Sequence, residues 1–139
     1  MNGMLLASGQ NYMADLLLTR ITSLTGLYVG LMTTQNLVES YQLGTGITEI
    51  TGAGYARQKS TPWTKITSGD DPVIEGYRVI FEVPVGQIWA NVNGYFVSLS
   101  STGPNILWAE PFAIEDRGER TEGDIWTLIP RFEQRYYGE

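Results

Sequence analysis

The stretch that decides the fold is Leu27-Tyr28-Val29-Gly30-Leu31-Met32-Thr33. It is short, apolar on both faces and rich in β-forming residues, which is typical of a buried β-strand. Upstream of it, apolar residues recur at three- and four-residue intervals and predict an α-helix at about residues 9–24. Ser8 is the expected N-cap and Gly26 the expected stop. We expect this helix to pack on the sheet of its own chain.

Downstream, short strand patterns alternate with Gly-, Pro- and Ser-rich turns. A loop at residues 34–54 is expected to carry one edge strand at residues 48–51, and residues 117–124 are expected to form a charged turn. Further strands are predicted at residues 55–60, 77–83, 89–99, 106–110 and 125–133, with a bend at Gly94 and an edge position at Pro130.

This spacing predicts a mainly β protein, an antiparallel β-sandwich or barrel of about 6–8 strands with one N-terminal α-helix. At 139 residues the chain is expected to be a single domain, residues 1–139. Its strands would occupy about residues 27–133, followed by a short C-terminal tail.

Composition argues against several functions. The chain has no His and no Cys, so the commonest general base and the thiolate and imidazole metal ligands are missing. The net charge is −6 and the nine cations are scattered, which argues against a nucleic-acid partner. No apolar run is long enough for a membrane span, and the N-terminus lacks the basic residues of a signal peptide. We expect no cofactor, no metal ion and a mature protein that is the whole chain.

Acidic and glycine-rich segments offer weak alternatives. The acidic groups near Asp70 and at residues 115–124 are expected to be solvated turn charges, with a structural cation as the alternative. The glycine-rich stretch at residues 44–54 lacks the Gly-Lys-Ser/Thr that a phosphate-binding loop needs. A Ser–Lys hydrolase would have to recruit Lys59 or Lys65 from polar surroundings. We therefore expect no catalytic residues and no enzyme.

The four tryptophans divide into two classes. Trp89, Trp108 and Trp126 fall inside predicted strands, where aromatic side chains usually fill the core. Trp63 follows Pro62 in a predicted loop and is the candidate for a surface contact, for example with a glycan.

One segment is more specific than the rest: Thr48-Glu49-Ile50-Thr51-Gly52-Ala53-Gly54-Tyr55-Ala56-Arg57-Gln58. Together with residues 27–34, 93–97 and 107–112, it resembles a family of small structural virion proteins of tailed bacteriophages with a G-x-G-Y-A-R-Q motif. The resemblance implies a virion component assembled in the host bacterial cytoplasm, which the absence of Cys also fits. The C-terminal tail, residues 131–139, is more charged and aromatic than the family leads us to expect.

The motif also has a physical interpretation. Gly52 and Gly54 would let the chain turn sharply, Tyr55 would bury its ring, and Arg57 would offer its planar fork to a carboxylate or to carbonyls. Such a group would hold a long loop against the sheet without any catalysis. The structural and interaction candidates are Tyr55, Arg57, Gln58, Trp63, Tyr136 and Tyr137.

Two virion roles follow from the resemblance. The first is a capsid decoration or cement protein, a homo-oligomer with a trimer favoured, that stabilises the lattice of the major capsid protein. The alternative is a tail fibre, baseplate or adaptor protein that contacts the host surface through Trp63 and the loop at residues 34–54. A long fibre would need repeats or heptads, which the sequence lacks.

Overall fold

The protein was analysed as a computed structural model, which describes residues 7–22, 26–37, 42–43, 46–68 and 71–133. It is mainly β, with several antiparallel sheets and one helix near the N-terminus, as predicted. The elements are α1 (Ala7–Thr22), β1 (Leu27–Met32), β2 (Gln42–Leu43), β3 (Gly46–Ile47), β4 (Gln58–Ser60), β5 (Trp63–Ser68), β6 (Asp71–Gly76), β7 (Val79–Glu82), β8 (Ile88–Val92), β9 (Gly94–Ser98), β10 (Ile106–Pro111), β11 (Gly118–Thr121), β12 (Ile125–Leu128) and β13 (Arg131–Glu133).

Strand β1 lies inside a four-stranded sheet of order β10-β9-β1-β4. It pairs antiparallel with β9 and β4, so the predicted buried strand is confirmed. Its Val29 and Leu31 point into the main core. On the other face, Met32 and Phe96 form a second apolar cluster with Ile47. Because both faces of the sheet are covered, β1 needs apolar residues at consecutive positions.

The segment of residues 71–92 runs antiparallel to the segment of residues 118–133. Strands β6, β7 and β8 pair in turn with β13, β12 and β11. Hydrogen bonds continue across the breaks, since Val83 N donates to Asp124 O at 3.0 Å and Gly76 N donates to Pro130 O at 2.9 Å. The result is one long two-stranded ribbon with two irregular positions.

The predicted charged turn at residues 117–124 is therefore wrong over most of its length. Gly118–Thr121 is strand β11, paired with β8, and only the following residues form the turn. Charged side chains are compatible with a strand that leaves one edge and one face in solvent, so their presence did not discriminate between strand and turn.

Several predicted strand boundaries are also corrected. Only Gln58–Ser60 of the predicted strand at residues 55–60 is extended, and residues 48–51 contribute a single bridge, between Glu49 and Met32. The hairpin of Trp63–Ser68 and Asp71–Gly76 was not predicted. The described strands are consequently more numerous and shorter than the 6–8 expected.

Two long predicted strands are each divided. The stretch at residues 89–99 changes sheet at Asn93, which is buried and donates from its side chain to Thr33 O at 2.8 Å. The predicted bend at Gly94 lies at this crossover, where a Cβ atom would lie 2.5 Å from Met32 Cε. The stretch at residues 125–133 divides at Pro130, which lies between β12 and β13 rather than in an edge strand.

Helix α1 packs on β5 and β6 through Ala14 and Ile21, which are buried in the main core cluster. Its packing on its own chain is confirmed. The helix begins at Ala7, so Ser8 lies inside its first turn and is not the N-cap; the predicted end at residue 24 lies outside the described residues. Within the described part of the chain, no helix has both the length and the apolarity to cross a membrane.

Candidate functional site

The G-x-G-Y-A-R-Q segment forms a tight loop that enters β4, and its two glycines are sterically required. A Cβ atom on Gly52 would lie 2.0 Å from Cδ1 of the buried Trp89. Gly54 has a φ of +79°, and a Cβ atom there would lie 2.3 Å from Pro84 Cγ. Trp89 Nε1 also donates to Ala53 O at 2.9 Å. The loop is thus held directly against the long ribbon.

Arg57 is the centre of the site, with a side chain only 2% exposed. Its Nε and Nη2 atoms bind Glu49 as a bidentate fork, at 2.9 Å and 3.0 Å. Nη1 donates to Ser98 Oγ and to Ser100 O, each at 3.0 Å, and Nη2 also donates to Gly103 O at 2.9 Å. All five N–H donors of a guanidinium are therefore used.

Two aromatic residues complete this arrangement. The guanidinium carbon of Arg57 lies 4.9 Å from the ring centroid of Phe96, so a cation–π contact supports the ion pair from the sheet. The Tyr55 hydroxyl donates to Glu49 Oε2 at 2.6 Å and accepts the N–H of Leu31 at 2.9 Å. We call Glu49, Tyr55, Arg57 and Ser98 the arginine cluster.

Burial and the bond to Glu49 both change the chemistry of Tyr55. Loss of hydration raises the pKa of the Tyr55 hydroxyl well above its usual value, and the hydrogen bond to the Glu49 carboxylate raises this pKa further. Tyr55 therefore stays protonated over the physiological range and acts as a fixed donor. Its ring meets Trp89 edge-on at 5.7 Å, which fixes the hydroxyl in position.

A shallow depression of about 490 Å³ lies beside the arginine cluster. It is open to solvent between two loops, and its lining consists of Leu43, Glu49, Ile50, Tyr55, Ala56, Arg57, Ser101, Thr102 and Gly103. The charged groups of Arg57 and Glu49 are paired with each other, so the depression presents shape and backbone rather than a free acid, base or nucleophile. Within the described residues, no group of three or more acidic side chains is placed to hold a metal ion.

The other sequence candidates do not join this cluster. Gln58 lies in β4 and its side chain donates to Ala56 O at 3.0 Å, a purely local bond. Tyr136 and Tyr137 lie outside the described residues.

The prediction that Trp63 is a surface residue is wrong. Trp63 begins β5, is only 4% exposed and donates from Nε1 to Ser60 O at 2.9 Å. Its ring packs edge-on against Trp108 at 5.6 Å. Trp63 is a core residue because β6 and α1, neither adjacent to it in sequence, cover it. Trp89 is buried as predicted, while Trp108 and Trp126 are partly buried against the same core.

Two members of the arginine cluster were not among the sequence candidates. Glu49 was inside the quoted segment, and a buried arginine in that segment requires a carboxylate, which was a usable signal. Ser98 lies 41 residues from Arg57 and carries no comparable signal.

Comparisons with known proteins add no relative to this site. No family model, no curated protein and no solved structure matches the chain. The role of the site must follow from its own chemistry and from the pattern of the sequence.

The raised tyrosine pKa values predict a loss of stability in alkali. Burial raises the pKa of Tyr95 to about 12. An unfolded tyrosine releases its proton near pH 10, so unfolding releases protons between these values and stability falls as the pH rises. The contribution is complete below pH 10. We expect Tyr95→Phe to reduce the slope of unfolding free energy against pH by up to about 1.4 kcal/mol per pH unit.

Urea unfolding between pH 8 and 12 measures this slope. Tyr77→Phe, which removes a hydroxyl from a ring that is 50% exposed, is the matched control. A Tyr95→Phe variant with the slope of the unmodified chain would contradict the prediction.

Proposed function

We propose that this chain is a non-enzymatic structural protein of a tailed-bacteriophage virion, and that it decorates the capsid as a cement protein. The observation that carries the proposal is that Arg57, the charged residue of the motif, uses every one of its N–H groups inside the protein. A buried arginine paired in this way holds loops in place and offers no free group for acid–base or nucleophilic chemistry.

The arginine cluster orders two loops at once. Arg57 bonds to Ser100 O and Gly103 O in the connection between β9 and β10, and Glu49 joins the same guanidinium from the segment before β4. Ordering a loop during binding costs about 1–2 kcal/mol per residue. Loops that are ordered beforehand bind a fixed lattice at a smaller entropic cost, which suits a protein that adheres to a capsid.

The virion assignment is supported by the sequence resemblance centred on residues 54–58. On this proposal the partner is the major capsid protein, the location is the virion, and assembly takes place in the bacterial cytoplasm. A homotrimer is proposed because several linked contacts on neighbouring lattice subunits gain affinity through effective concentration. No nucleic-acid or membrane partner is part of the proposal.

Copy number in purified particles tests the proposal. Quantitative mass spectrometry is expected to find on the order of hundreds of copies per particle, as a symmetric lattice requires. A few to a few dozen copies would instead assign the chain to a tail fibre, baseplate or adaptor, and absence from particles would overturn the virion role. Particles assembled without the chain are expected to lose resistance to heat and osmotic shock, and full resistance would contradict the cement role.

A further inference from the structure

A second cavity, of about 300 Å³, opens beside β11 and β12. It lies away from the arginine cluster and shares none of its residues. Its walls are formed by Phe112, Asp116, Arg120, Trp126, Thr127 and Leu128. The cavity thus combines apolar surface with one guanidinium and one indole.

Two hydrogen-bond donors in this wall are buried and have no acceptor among the described residues. They are Nε of Arg120 and Nε1 of Trp126. The two side chains are held together, since the guanidinium carbon of Arg120 lies 4.8 Å from the Trp126 ring centroid. Arg120 is also fixed by a bond from Nη2 to Asp116 O at 2.7 Å. Buried donors are normally paired, so two unpaired donors in one wall point to an absent acceptor.

The other three tryptophans show that this feature is specific to Trp126. Trp63, Trp89 and Trp108 donate their indole N–H groups to backbone carbonyl oxygens at 2.9 Å, 2.9 Å and 3.1 Å. Phe81 and Arg120 already lie against the ring of Trp126, with the Phe81 centroid at 5.7 Å. The N–H group, rather than a free ring face, is therefore what Trp126 offers a ligand.

The chemistry of the walls selects the ligand class. Guanidinium and indole N–H groups only donate, so the ligand must accept, and a carboxylate matches the planar, charged guanidinium best. Phe112 and Leu128 provide apolar contact for a short aliphatic stem. Asp116 and Glu119 are exposed to solvent and salt, which screens their repulsion more than it screens direct contact with Arg120.

We propose that this cavity is a carboxylate-binding site in which Arg120 and Trp126 donate to the carboxylate oxygens. The carboxylate comes either from an acidic side chain of a partner protein or from a small free carboxylic acid. The site stands independently of the virion role.

The indole signals of the ¹⁵N-labelled full chain report on the site directly. We expect titration with sodium butyrate, or with an acetylated and amidated Ala-Glu-Ala peptide, to shift the Trp126 indole signal saturably in the millimolar range. The other three indoles should stay in place, and Trp126→Phe assigns the signal by removing it. Tighter binding of the peptide identifies a protein source, and tighter binding of butyrate identifies a free acid.

Neutral and mutant controls complete the test. Butyramide, which has the shape of butyrate without its charge, is expected to leave the Trp126 signal in place. Arg120→Gln should raise the half-saturating butyrate concentration about tenfold or more, whereas Arg78→Gln, an equal charge change at an exposed site, should not. A Trp126 signal unmoved by both carboxylates, or moved equally by butyramide, overturns the proposal, and this comparison needs no variant.

Discussion

Replacing Arg57 by Met is expected to lower the free energy of unfolding by about 3–5 kcal/mol, because it leaves a partly buried carboxylate without its partner. Glu49 has a side chain only 24% exposed, and Arg57 is its bidentate partner. The same change removes the donors to Ser98 Oγ and to the carbonyls of Ser100 and Gly103. Both loops beside the depression should lose their common attachment.

Urea unfolding of the purified chain measures this effect, and the protein offers a matched control. Arg131 pairs with Glu75 at 3.0 Å, but its side chain is 54% exposed. Because solvent screens an exposed pair, Arg131→Met should cost no more than about 1 kcal/mol. Similar losses for the two variants would contradict a structural role for the arginine cluster.

Arg57→Lys separates charge from geometry. Lysine keeps the positive charge but has a single ammonium, which cannot reproduce the five-donor fork of the guanidinium. We expect Arg57→Lys to retain less than half of the stability lost in Arg57→Met. A fully stable lysine variant would show that charge alone is sufficient at this position.

Replacing Gly30 by Ala is expected to destabilise the protein by about 3 kcal/mol, because there is no room for a methyl group. An added Cβ atom would lie 2.2 Å from Cζ of Phe96 and 2.7 Å from its Cε1. Phe96 is fully buried and lies beneath the Arg57 guanidinium, so its ring cannot move aside freely. The strain should therefore reach both the sheet and the arginine cluster.

A second change at Phe96 tests this explanation. Leucine lacks the Cε and Cζ atoms that would meet the new methyl group, so Phe96→Leu should partly compensate for Gly30→Ala. In urea unfolding, the double variant is expected to be about 1–2 kcal/mol more stable than the sum of the single effects. Strict additivity would show that Gly30 is required for a reason other than contact with Phe96.

The arginine cluster was predictable only in part. Tyr55 and Arg57 could be selected from the motif because a buried tyrosine and a buried arginine both require defined partners. The partners themselves depend on which strands are neighbours. Ser98 reaches Arg57 because β9 pairs with β1, and that pairing joins segments far apart in the chain.

Trp63 and the ribbon show where local pattern fails. Trp63 follows a proline in a polar stretch, a context typical of a loop, yet packing against Trp108 and the core places it inside. The charged residues of Gly118–Thr121 resemble a turn, yet they pair with β8 at an exposed position. In both cases a distant segment, which no local window contains, decides the structure.

The sequence by itself determined the mainly β class, the helix near the N-terminus and the burial of Leu27–Met32 on both faces, because these follow from the period of apolar residues. Only the tertiary structure decided that β1 rests on Phe96 through Gly30, that Arg57 uses all its donors, and that Trp126 keeps a buried donor unpaired. The physical reason is that hydrogen bonds and close packing depend on register between distant segments, and register is a property of the folded chain.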